Sequence, residues 1–411
     1  MTSIKVASMS LRKNEPIDIV MLNMSADFEW HGSSVSWLRR FVRWQPALAK
    51  KFYAGVFNRN LAILEALSKD KRVRQILSVD FVPQTVKRKL KEYILAGLWQ
   101  GGRNVAVRGL TYKVTRQSVS SKVYTFSGLT LDHVPEIMKK LQFHNVVLWS
   151  YNPLEVDCFR SIPHDVAVFD AVDDWSHHPE YVVIRDRIRQ NYRTIATHAR
   201  AIFTVAKDLH SLFPGHASVH WISNGVDSDH YAAQRPRPAE FSDIMQPIIG
   251  YHGIIQSRLD VELLEDVVAA HPEWAFVFVG LVWPGAGAAK LQKYPNVRFL
   301  GQKTYAELPA YIQHFDVGIL PHRVDAFTKT MNPMKIYEYL ACGKPVVSTP
   351  VAGVDLFPEY IQVALTAEEF SFHIKRVLEM NSEAQGGARQ QAVAPHTWTR
   401  RVHAMLDILL A

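Results

Sequence analysis

Short apolar runs alternate with amphipathic stretches along the first half of the chain. Buried-strand patterns occur at 17–25, 145–150, 166–172 and 201–206, with helical patterns at 135–142 and 182–199. Strands separated by helices are typical of parallel βαβ units. The first half therefore predicts a Rossmann-like domain.

The same rhythm restarts after Asn224 and Gly225. Strand patterns follow at 248–253, 274–280, 297–301, 317–321 and 345–349, with helical patterns at 259–271, at 306–315 and at the start of 331–350. Because crossovers between parallel strands are right-handed, such a series forms a doubly wound sheet. The fold class predicted is α/β, with two Rossmann-like domains that join near residues 215–235.

The C-terminal stretch is amphipathic and follows a polar connector at 379–395. One helical face carries Trp398, Val402, Met405, Leu406 and Leu409. We expect a terminal helix that crosses back to the first domain after a flexible link. The predicted domains are 1–222, 223–393 and a terminal helix at 394–411.

Composition and cysteine content agree with this reading. A chain of 411 residues suggests about two domains, and 48% hydrophobic with 21% charged residues is globular. Cys158 and Cys342 have no spacing for a metal site or a disulfide framework, which favours a reducing compartment. The N-terminus lacks an apolar region of signal-peptide length, and no apolar stretch reaches about 18 residues. We therefore expect a cytoplasmic protein, which can still lie on the inner face of the cell membrane.

The net charge of +8 is concentrated in one region. Between Ser36 and Lys122, nineteen Lys or Arg residues stand against four acidic residues, a net +15, so the remaining sequence carries about −7. Segments 37–53 and 85–99 interleave these cations with apolar rows at helical spacing. Both resemble interfacial helices on anionic headgroups, although ordinary core contacts would produce the same apolar rows. Nucleic acid is a poorer reading, since no binding module is recognisable.

Residues 331–350, MNPMKIYEYLACGKPVVSTP, place two ionic residues on a helix between two predicted strands. In an open α/β sheet, ligands bind at the carboxyl ends of strands, where this helix has its N-terminus. Free N–H groups there favour phosphate oxygens, and Lys335 adds a positive charge one turn in. Glu338 shares that face and could accept hydrogen bonds from ribose hydroxyls. The alternative is a solvated helix whose Lys and Glu are surface charges.

This segment resembles the nucleotide-binding motif of GT-B fold glycosyltransferases, in the broad group typified by family four. The match consists of Lys335, Glu338, Tyr339, Leu340, Ala341, Gly343, Lys344, Pro345, Val346 and Val347. Four further segments resemble parts of that group: 301–323 its base-side segment, 248–265 its first glycine loop, 222–231 its inter-domain signature and 169–175 its acceptor-side strand end. The resemblance implies two domains facing across a cleft, and a nucleotide-sugar donor held by Gly253, Arg258, Gln302, His322, Met334, Lys335 and Glu338.

One departure concerns the outcome of the reaction. Retaining members often carry two glutamates, and the earlier one would fall at Thr330, so only Glu338 is present. Met334 and Lys335 also resemble the inverting glucuronosyltransferase of xanthan assembly, in which a first-domain Asp is the base. Asp173 occupies the equivalent strand end.

Candidate catalytic residues come from the first domain. Asp170, Asp173 and Asp174 follow a strand, and three close carboxylates raise one another's pKa values, which suits a base. Asp173 is the predicted base, with Asp27 and His31 as alternatives, and N-capping of a helix is the competing reading of the aspartates. The carboxylates with His177 and His178 could also bind a divalent cation, but Lys335, Arg258 and the helix terminus make a metal unnecessary. Arg258 could instead pair with Asp260, and His252 and His322 could simply be packed or solvent-facing.

The leading hypothesis is a glycosyltransferase that uses a nucleotide-diphosphate sugar, with UDP favoured, and a lipid-linked acceptor at an anionic membrane. No cofactor or metal is expected. A sugar-nucleotide epimerase of the same fold is one alternative, although it would not need the basic region. A non-catalytic membrane scaffold is the other.

Overall fold

The computed structural model describes residues 10–23, 58–80, 105–109, 112–116, 120–128, 130–283 and 285–411. The chain divides into two compact units. Unit 1 consists of Met1–Ile222 together with Val402–Ala411, and unit 2 consists of Ser223–Arg401. Each described part is built around its own sheet.

Unit 1 contains a nine-stranded sheet within its described residues, in the order β3-β4-β5-β2-β1-β6-β7-β8-β9. The strands are β1 (Ile17–Asn23), β2 (Val73–Asp80), β3 (Val105–Arg108), β4 (Tyr112–Arg116), β5 (Val123–Gly128), β6 (Val146–Ser150), β7 (Val166–Ala171), β8 (Ala201–Thr204) and β9 (Val219–Trp221). From β5 to β9 across the sheet every pairing is parallel, whereas β4 runs antiparallel to both β3 and β5. The parallel βαβ units were predicted, whereas the antiparallel strands at this edge were not.

The centre of this sheet is buried on both faces. Every residue of β1, β6, β7 and β8 is buried, as expected when helices cover a parallel sheet on both sides. The α-helices in the described part of unit 1 are α1 (Arg59–Lys69), α2 (Val134–Lys140), α3 (Cys158–Ser161) and α4 (Arg185–His198). A 3-10 turn at Trp175–His177 and another at Pro179–Ile184 connect β7 to α4.

The strand β2 was not predicted, because polar residues interrupt its apolar pattern. Arg74 and Gln75 are its second and third residues, and both donate to the fully buried carboxylate of Asp18 on the neighbouring strand β1. The long-range partner makes these polar side chains compatible with a central strand, since a buried charge must be paired.

Unit 2 contains a six-stranded sheet that is parallel throughout, in the order β12-β11-β10-β13-β14-β15. Its strands are β10 (Ile248–His252), β11 (Ala275–Val279), β12 (Val297–Gly301), β13 (Val317–Leu320), β14 (Val346–Ser348) and β15 (Ile361–Val363). The strand order reverses between β10 and β13. Such a topological switch point is where open α/β sheets bind ligands.

The helices of unit 2 follow the predicted alternation with the strands. They are α5 (Ser228–Ala232), α6 (Val261–Ala270), α7 (Ala288–Gln292), α8 (Leu308–Ile312), α9 (Met334–Ala341), α10 (Ala367–Met380) and α11 (Glu383–Val393). A final helix, α12 (Trp398–Leu410), contains the boundary between the units. None of the described helices has both the length and the apolar content needed to cross a bilayer.

The predicted flexible connector is wrong, because most of it forms the helix α11. Ser382 caps α11 by accepting a hydrogen bond from Gln385 N. Arg389 donates to the carbonyl of Gly343 at 3.0 Å, and Gln390 donates to that of Ala341 at 3.1 Å. These carbonyls lie at the C-terminal end of α9, where backbone acceptors have no partner within the helix. The polar side chains that suggested a loop therefore serve a specific contact.

Candidate functional site

The site in unit 2 lies where β10 and β13 end. His252 is the last residue of β10, and His322 lies two residues beyond β13. The loop after β10 is bound to the loop after β13, since Asp260 N donates to Pro321 O and Arg323 N donates to Arg258 O, each at 2.8 Å. The two loops therefore form one surface at the switch point.

The helix α9 begins at this surface. Pro333 occupies its N-cap position, and no side-chain hydrogen bond caps the helix. Its inner face is fully buried through Ile336, Tyr339 and Leu340. Cys342 and then Gly343, which has a left-handed conformation, end the helix. Uncapped N–H groups at a helix N-terminus favour an anion.

Lys335 lies across the loop that follows β10. Gly253 has φ +112, and a Cβ atom at this position would lie 2.6 Å from Lys335 Cε and 2.7 Å from Nζ. The ammonium group lies 5.3 Å from the ring centroid of Tyr251. Burial lowers the pKa of Lys335, the Arg258 guanidinium lowers it further, and Glu338 opposes both effects. Lysine and arginine thus share one site in which their charges repel each other.

Glu338 is buried one turn further along α9. Its Oε1 accepts a hydrogen bond of 3.0 Å from the hydroxyl of Tyr231. His252 Nε2 lies 3.2 Å from Oε2, although this approach does not have hydrogen-bond geometry. Burial raises the pKa of Glu338, against the effects of Lys335 and of the hydrogen bond from Tyr231. In the predicted contact, a ribose hydroxyl would donate to a carboxyl group that already accepts a hydrogen bond from Tyr231.

The two histidines of the site are neutral bases. Burial lowers the pKa of His252 and of His322 well below the ordinary value, and the charge of Lys335 acts in the same direction. Arg258 also lowers the pKa of His322. His322 is fully buried, and neither ring nitrogen has a hydrogen-bond partner within the described part of the chain. The site thus contains two cations, two neutral imidazoles and one carboxyl group, whose raised pKa favours its uncharged form. The net charge of the site is therefore positive, which suits an anion.

Two residues that sequence reasoning missed hold the site together. Tyr231, which ends the 222–231 signature, donates to Glu338, and Asn332 accepts from Asn224 N at 2.8 Å and from the Tyr337 hydroxyl at 3.0 Å. The signature segment is therefore attached directly to α9 within unit 2. Its resemblance to the family motif was the only signal for these contacts.

The remaining predicted donor residues occupy less central positions. Met334 is half-buried and is the first residue of α9. Arg258 Nη1 lies 4.0 Å from the sulfur of Met331, and Asp260 instead caps α6, so the predicted alternative of an Arg258–Asp260 pair is not seen. Gln302 follows β12 at the edge of the sheet, and β11 lies between that strand and β10.

The predicted catalytic residues belong to unit 1. Asp27 and His31 lie outside the described residues. Asp173 is half-buried in the turn after β7, and its main-chain carbonyl accepts from the Tyr192 hydroxyl at 3.3 Å. The structure therefore places one of the three candidates, at the carboxyl edge of its sheet.

The prediction that neighbouring aspartates raise one another's pKa values is wrong for Asp170. Asp170 lies inside β7, fully buried, and Arg59 Nε contacts both of its oxygens at 3.1 Å. Burial raises the pKa of Asp170, and Arg59 lowers it, with no neighbouring aspartate among the main causes. Asp174 caps the turn at Trp175–His177, as the competing reading anticipated.

The described residues contain no group of three or more His, Cys, Asp or Glu side chains arranged to hold a metal ion. The basic segments 37–53 and 85–99 lie outside the described residues, so the interfacial helices predicted there stay predictions. Several other cations of the basic region have internal partners. Arg72 binds Asp70 at 2.8 Å, and Lys122 donates to the carbonyls of Asp70 and Val73.

Comparisons with known proteins agree with the site in unit 2. Residues 258–407 match the family model described as "Glycosyl transferase-like". A protein of Bacillus subtilis (strain 168), TuaH, whose name assigns it to teichuronic acid biosynthesis as a glycosyltransferase, is 31% identical over 144 residues. That match covers 34% of this chain and 36% of the relative, so the alignment spans about a third of the relative's length.

Solved structures match nearly the whole chain. A sucrose-phosphate synthase from Thermosynechococcus elongatus has a TM-score of 0.64 at 15% identity, covering 95% of this chain and 98% of that one. HepE from Anabaena, in complex with UDP-glucose, has a TM-score of 0.60 at 15% identity, covering 95% and 99%. WaaG, a glycosyltransferase involved in lipopolysaccharide biosynthesis, has a TM-score of 0.55 at 14% identity, covering 95% and 99%.

The solved structures show that the chain has the GT-B fold, and residues 258–407 match the glycosyltransferase-like family model. The resemblance predicted from residues 331–350 is thereby confirmed. The structure also describes Thr330, where the earlier family glutamate would fall. In this chain Thr330 ends a 3-10 turn and donates to the carbonyl of Phe327 at 2.9 Å, so it closes the turn ahead of α9.

Proposed function

We propose that this protein is a glycosyltransferase that moves a sugar from a nucleotide-diphosphate sugar to an acceptor during surface polysaccharide or glycolipid assembly. The observation that carries the proposal is the anion site at the switch point of unit 2. Lys335, Arg258 and the uncapped N-terminus of α9 converge there, at the loop of Gly253. The family match at 258–407 includes all of these groups except Gly253.

This arrangement suits departure of a diphosphate. Negative charge develops on the leaving group as the glycosidic bond breaks, and preorganised cations and N–H dipoles stabilise that charge. Lys335 is held half-buried, where its charge interacts more strongly than it would in water. The proposed role needs no metal, because Lys335 and Arg258 supply the compensating charge.

A UDP-sugar is the favoured donor. HepE, which shares the fold, has been solved in complex with UDP-glucose, and TuaH is named for teichuronic acid biosynthesis. Neutral His322, fully buried and without an intramolecular partner among the described residues, offers both a donor and an acceptor nitrogen to a polar ligand. We assign it, with Glu338 and Gln302, to the donor side.

The acceptor is proposed to be lipid-linked, on the basis of the charge concentrated between Ser36 and Lys122. Flotation with liposomes tests this part. Binding should require anionic lipid and should weaken with salt, because exposed charges are screened within about 10 Å at 0.1 M. Equal flotation with neutral vesicles would contradict it.

The central experiment is a thermal-stability screen of UDP-, GDP- and dTDP-sugars, followed by calorimetry with the nucleotide that stabilises the protein. Lys335→Ala should weaken binding by about 1.5–3 kcal/mol, the scale of a charge-assisted hydrogen bond. Lys329→Ala is the matched control, since Lys329 is an exposed lysine in the turn before α9. Unchanged affinity in Lys335→Ala, or no nucleotide binding by the natural protein, would refute the proposal.

A further inference from the structure

A cavity of about 800 Å³ lies at the amino edge of the sheet in unit 1. Four of the parallel strands begin at this edge, β1 at Ile17, β2 at Val73, β7 at Val166 and β8 at Ala201. The lining consists of residues 10–16, Lys71, Arg72, Val166, Arg200 and residues 409–411, all of which belong to unit 1. This amino-edge cavity has the volume of a site for a small molecule.

The amino-edge cavity is separate from the sites predicted from the sequence. Val166 begins β7, whereas Asp173 follows the end of that strand at the opposite edge of the sheet. None of the predicted site residues that the structure describes lines the cavity. A ligand bound there would be additional to the donor and the acceptor of the proposed reaction.

The side chains that line the cavity are predominantly cationic. Five of the lining residues are Lys or Arg, namely Arg12, Lys13, Lys71, Arg72 and Arg200, and one, Glu15, has a carboxylate side chain. Like charges gathered in a concave site produce a positive potential that attracts an anion.

Two of these cations have carboxylate partners and three do not. Arg72 contacts Asp70 at 2.8 Å and Asp407 at 2.5 Å, so its charge is compensated locally. Arg12 has an exposed contact of 3.4 Å with Glu15. Within the described part of the chain, the remaining three are exposed and make no ion pair; they are Lys13, Lys71 and Arg200. The surplus positive charge of the cavity therefore comes from these three residues.

The first wall of the cavity, residues 10–16, is held in place by Asn145. This side chain belongs to a residue that is only 3% exposed. Its Oδ1 accepts from Arg12 N at 2.8 Å, and its Nδ2 donates to Glu15 O at 3.2 Å and to Pro16 O at 3.4 Å. A buried amide that binds three points of the loop fixes its backbone before any ligand arrives.

The other walls are attached to the ends of strands. Ile17 N donates to Arg72 O, and Arg200 N donates to Ala167 O, each at 2.8 Å. The cations of the cavity thus come from three distant parts of the sequence that the sheet brings together. An anion held between them would join the start of β1 to the starts of β2 and β8.

Part of the lining is apolar. Val166 is 4% exposed and Leu409 is 2% exposed, and Leu11 and Leu410 are half-buried. Inorganic phosphate alone would leave these side chains in contact with water. A ligand that has both an anionic and an apolar part would cover them and gain from the burial.

We propose that the amino-edge cavity binds an amphiphilic phosphate ester. Lys13, Lys71 and Arg200 contact the phosphate, whose oxygens accept charge-assisted hydrogen bonds from lysine and arginine. The carbon-bearing part of the ligand lies against Val166 and Leu409. Such an ester has two sources, a soluble metabolite or the headgroup region of an anionic lipid, and both present the same chemistry to the cavity.

Calorimetry with dihexanoyl phosphatidate, kept below its micelle concentration, tests the proposal on the full-length chain. The double variant Lys13→Ala/Arg200→Ala should weaken binding about tenfold or more, because two charge-assisted hydrogen bonds are lost. Lys139→Ala/Arg187→Ala is the matched control, since it removes the same charge at exposed positions of α2 and α4 outside the cavity. Thermal unfolding without ligand checks that both variants are folded.

Several outcomes would overturn the proposal. These are no binding by the natural protein, and equal affinity in the two double variants. Loss of binding in Lys335→Ala, with normal binding in Lys13→Ala/Arg200→Ala, would also overturn it, because the phosphate would then occupy the donor site of unit 2. UDP affinity should be the same in both double variants and in the natural protein.

Hydrogen exchange resolved by mass spectrometry locates the ligand. Bound phosphatidate should slow exchange in residues 10–16, because it joins this loop to the starts of two other strands. The effect should be absent in Lys13→Ala/Arg200→Ala and present in the control variant. Binding without any change in this loop would contradict the assigned location.

Flotation with phosphatidylcholine vesicles that contain phosphatidylglycerol separates the two sources. Flotation that is lost in Lys13→Ala/Arg200→Ala and kept in Lys139→Ala/Arg187→Ala supports a lipid headgroup as the ligand. Unchanged flotation together with weakened phosphatidate binding supports a soluble phosphate ester.

Discussion

Lys335 occupies an environment that disfavours its own charge. Burial and the Arg258 guanidinium lower the pKa of its ammonium group, and Gly253 leaves just enough room for its terminal carbon and nitrogen. A site that holds a cation at such a cost is relieved when an anion binds. We therefore expect a bound anion to raise the pKa of Lys335 again.

We therefore expect nucleoside diphosphate binding to take up protons above neutral pH. In the free protein a fraction of Lys335 is uncharged well below pH 10.5, the ordinary lysine value, and the diphosphate restores the charged form. UDP affinity should fall as pH rises from 7 to 9. Calorimetry in buffers of different ionisation enthalpy measures the uptake. Lys335→Arg should abolish it, because an arginine stays protonated throughout this range; equal uptake in both proteins would show that another group is responsible.

Gly253 is the second residue whose identity the site requires. Its positive φ costs an L-residue about 1–2 kcal/mol, and a methyl group there would press on Lys335. Gly253→Ala should thus lower both stability and UDP affinity. Gly285→Ala separates the two effects, because Gly285 has φ +77 with no atom within 4 Å of an added Cβ. Thermal unfolding and calorimetry on both variants are the measurements; an equal loss of affinity in Gly285→Ala would argue against a direct effect on Lys335.

At the scale of single residues, the sequence predicted the charged side chains of the site. It did not predict the residues whose hydrogen bonds fix them and their helix in place. Lys335 and Glu338 follow from helical spacing and from the family motif. Tyr231 and Asn332 act through partners about a hundred residues away, and no local pattern records such pairing. Asp170 shows the converse: its position near other aspartates suggested a carboxylate cluster, whereas the partner that matters, Arg59, is distant in sequence.

Among elements, helices and strands with strong periodicity were predicted well. The six-stranded sheet of unit 2 contains five predicted strands, and only β15, three residues long, was missed. The antiparallel edge of unit 1 was missed because its strands are short. They also lie in or next to the basic region between Ser36 and Lys122, which was interpreted from its charge and not from its strand pattern. The connector was misread because polar residues and two glycines suggested a loop, although they form α11.

The helix α11 gives a direct test at this scale. Gly387 lies inside it, and an added Cβ would meet no atom within 4 Å. Gly387→Ala should therefore stabilise the protein by about 0.5–1 kcal/mol, through the lower helix propensity of glycine. Gly386→Ala is the companion variant, since its Cβ would lie 3.4 Å from the carbonyl oxygen of Gly343. Chemical unfolding decides the matter, and destabilisation by Gly387→Ala would mean that this segment is not helical.

For the whole molecule, the end of the chain contributes to the core of unit 1. Val402, Met405, Leu406 and Leu409 are each at most 2% exposed, and Arg72 contacts Asp407 at 2.5 Å. Burying each apolar side chain stabilises by about 1.5–3 kcal/mol, so together they approach the stability of an entire domain.

Deletion of residues 402–411 should accordingly unfold unit 1 while unit 2 still binds UDP. Hydrogen exchange resolved by mass spectrometry would report rapid exchange in β1, β6 and β7, with calorimetry reporting the retained binding. Asp407→Asn is the mild control, since an exposed ion pair contributes less than about 1 kcal/mol. Retained protection of those strands in the truncated chain would show that the final helix is dispensable.

The order of the two units along the chain affects synthesis. Unit 1 consists of Met1–Ile222 and Val402–Ala411, so unit 2 is an insertion between two pieces of the same unit. A ribosome releases all of unit 2 before the segment that completes unit 1 has emerged. The unit whose translation starts first is thus completed only after unit 2, and a stop codon directly before Val402 would leave unit 1 incomplete while unit 2 is whole.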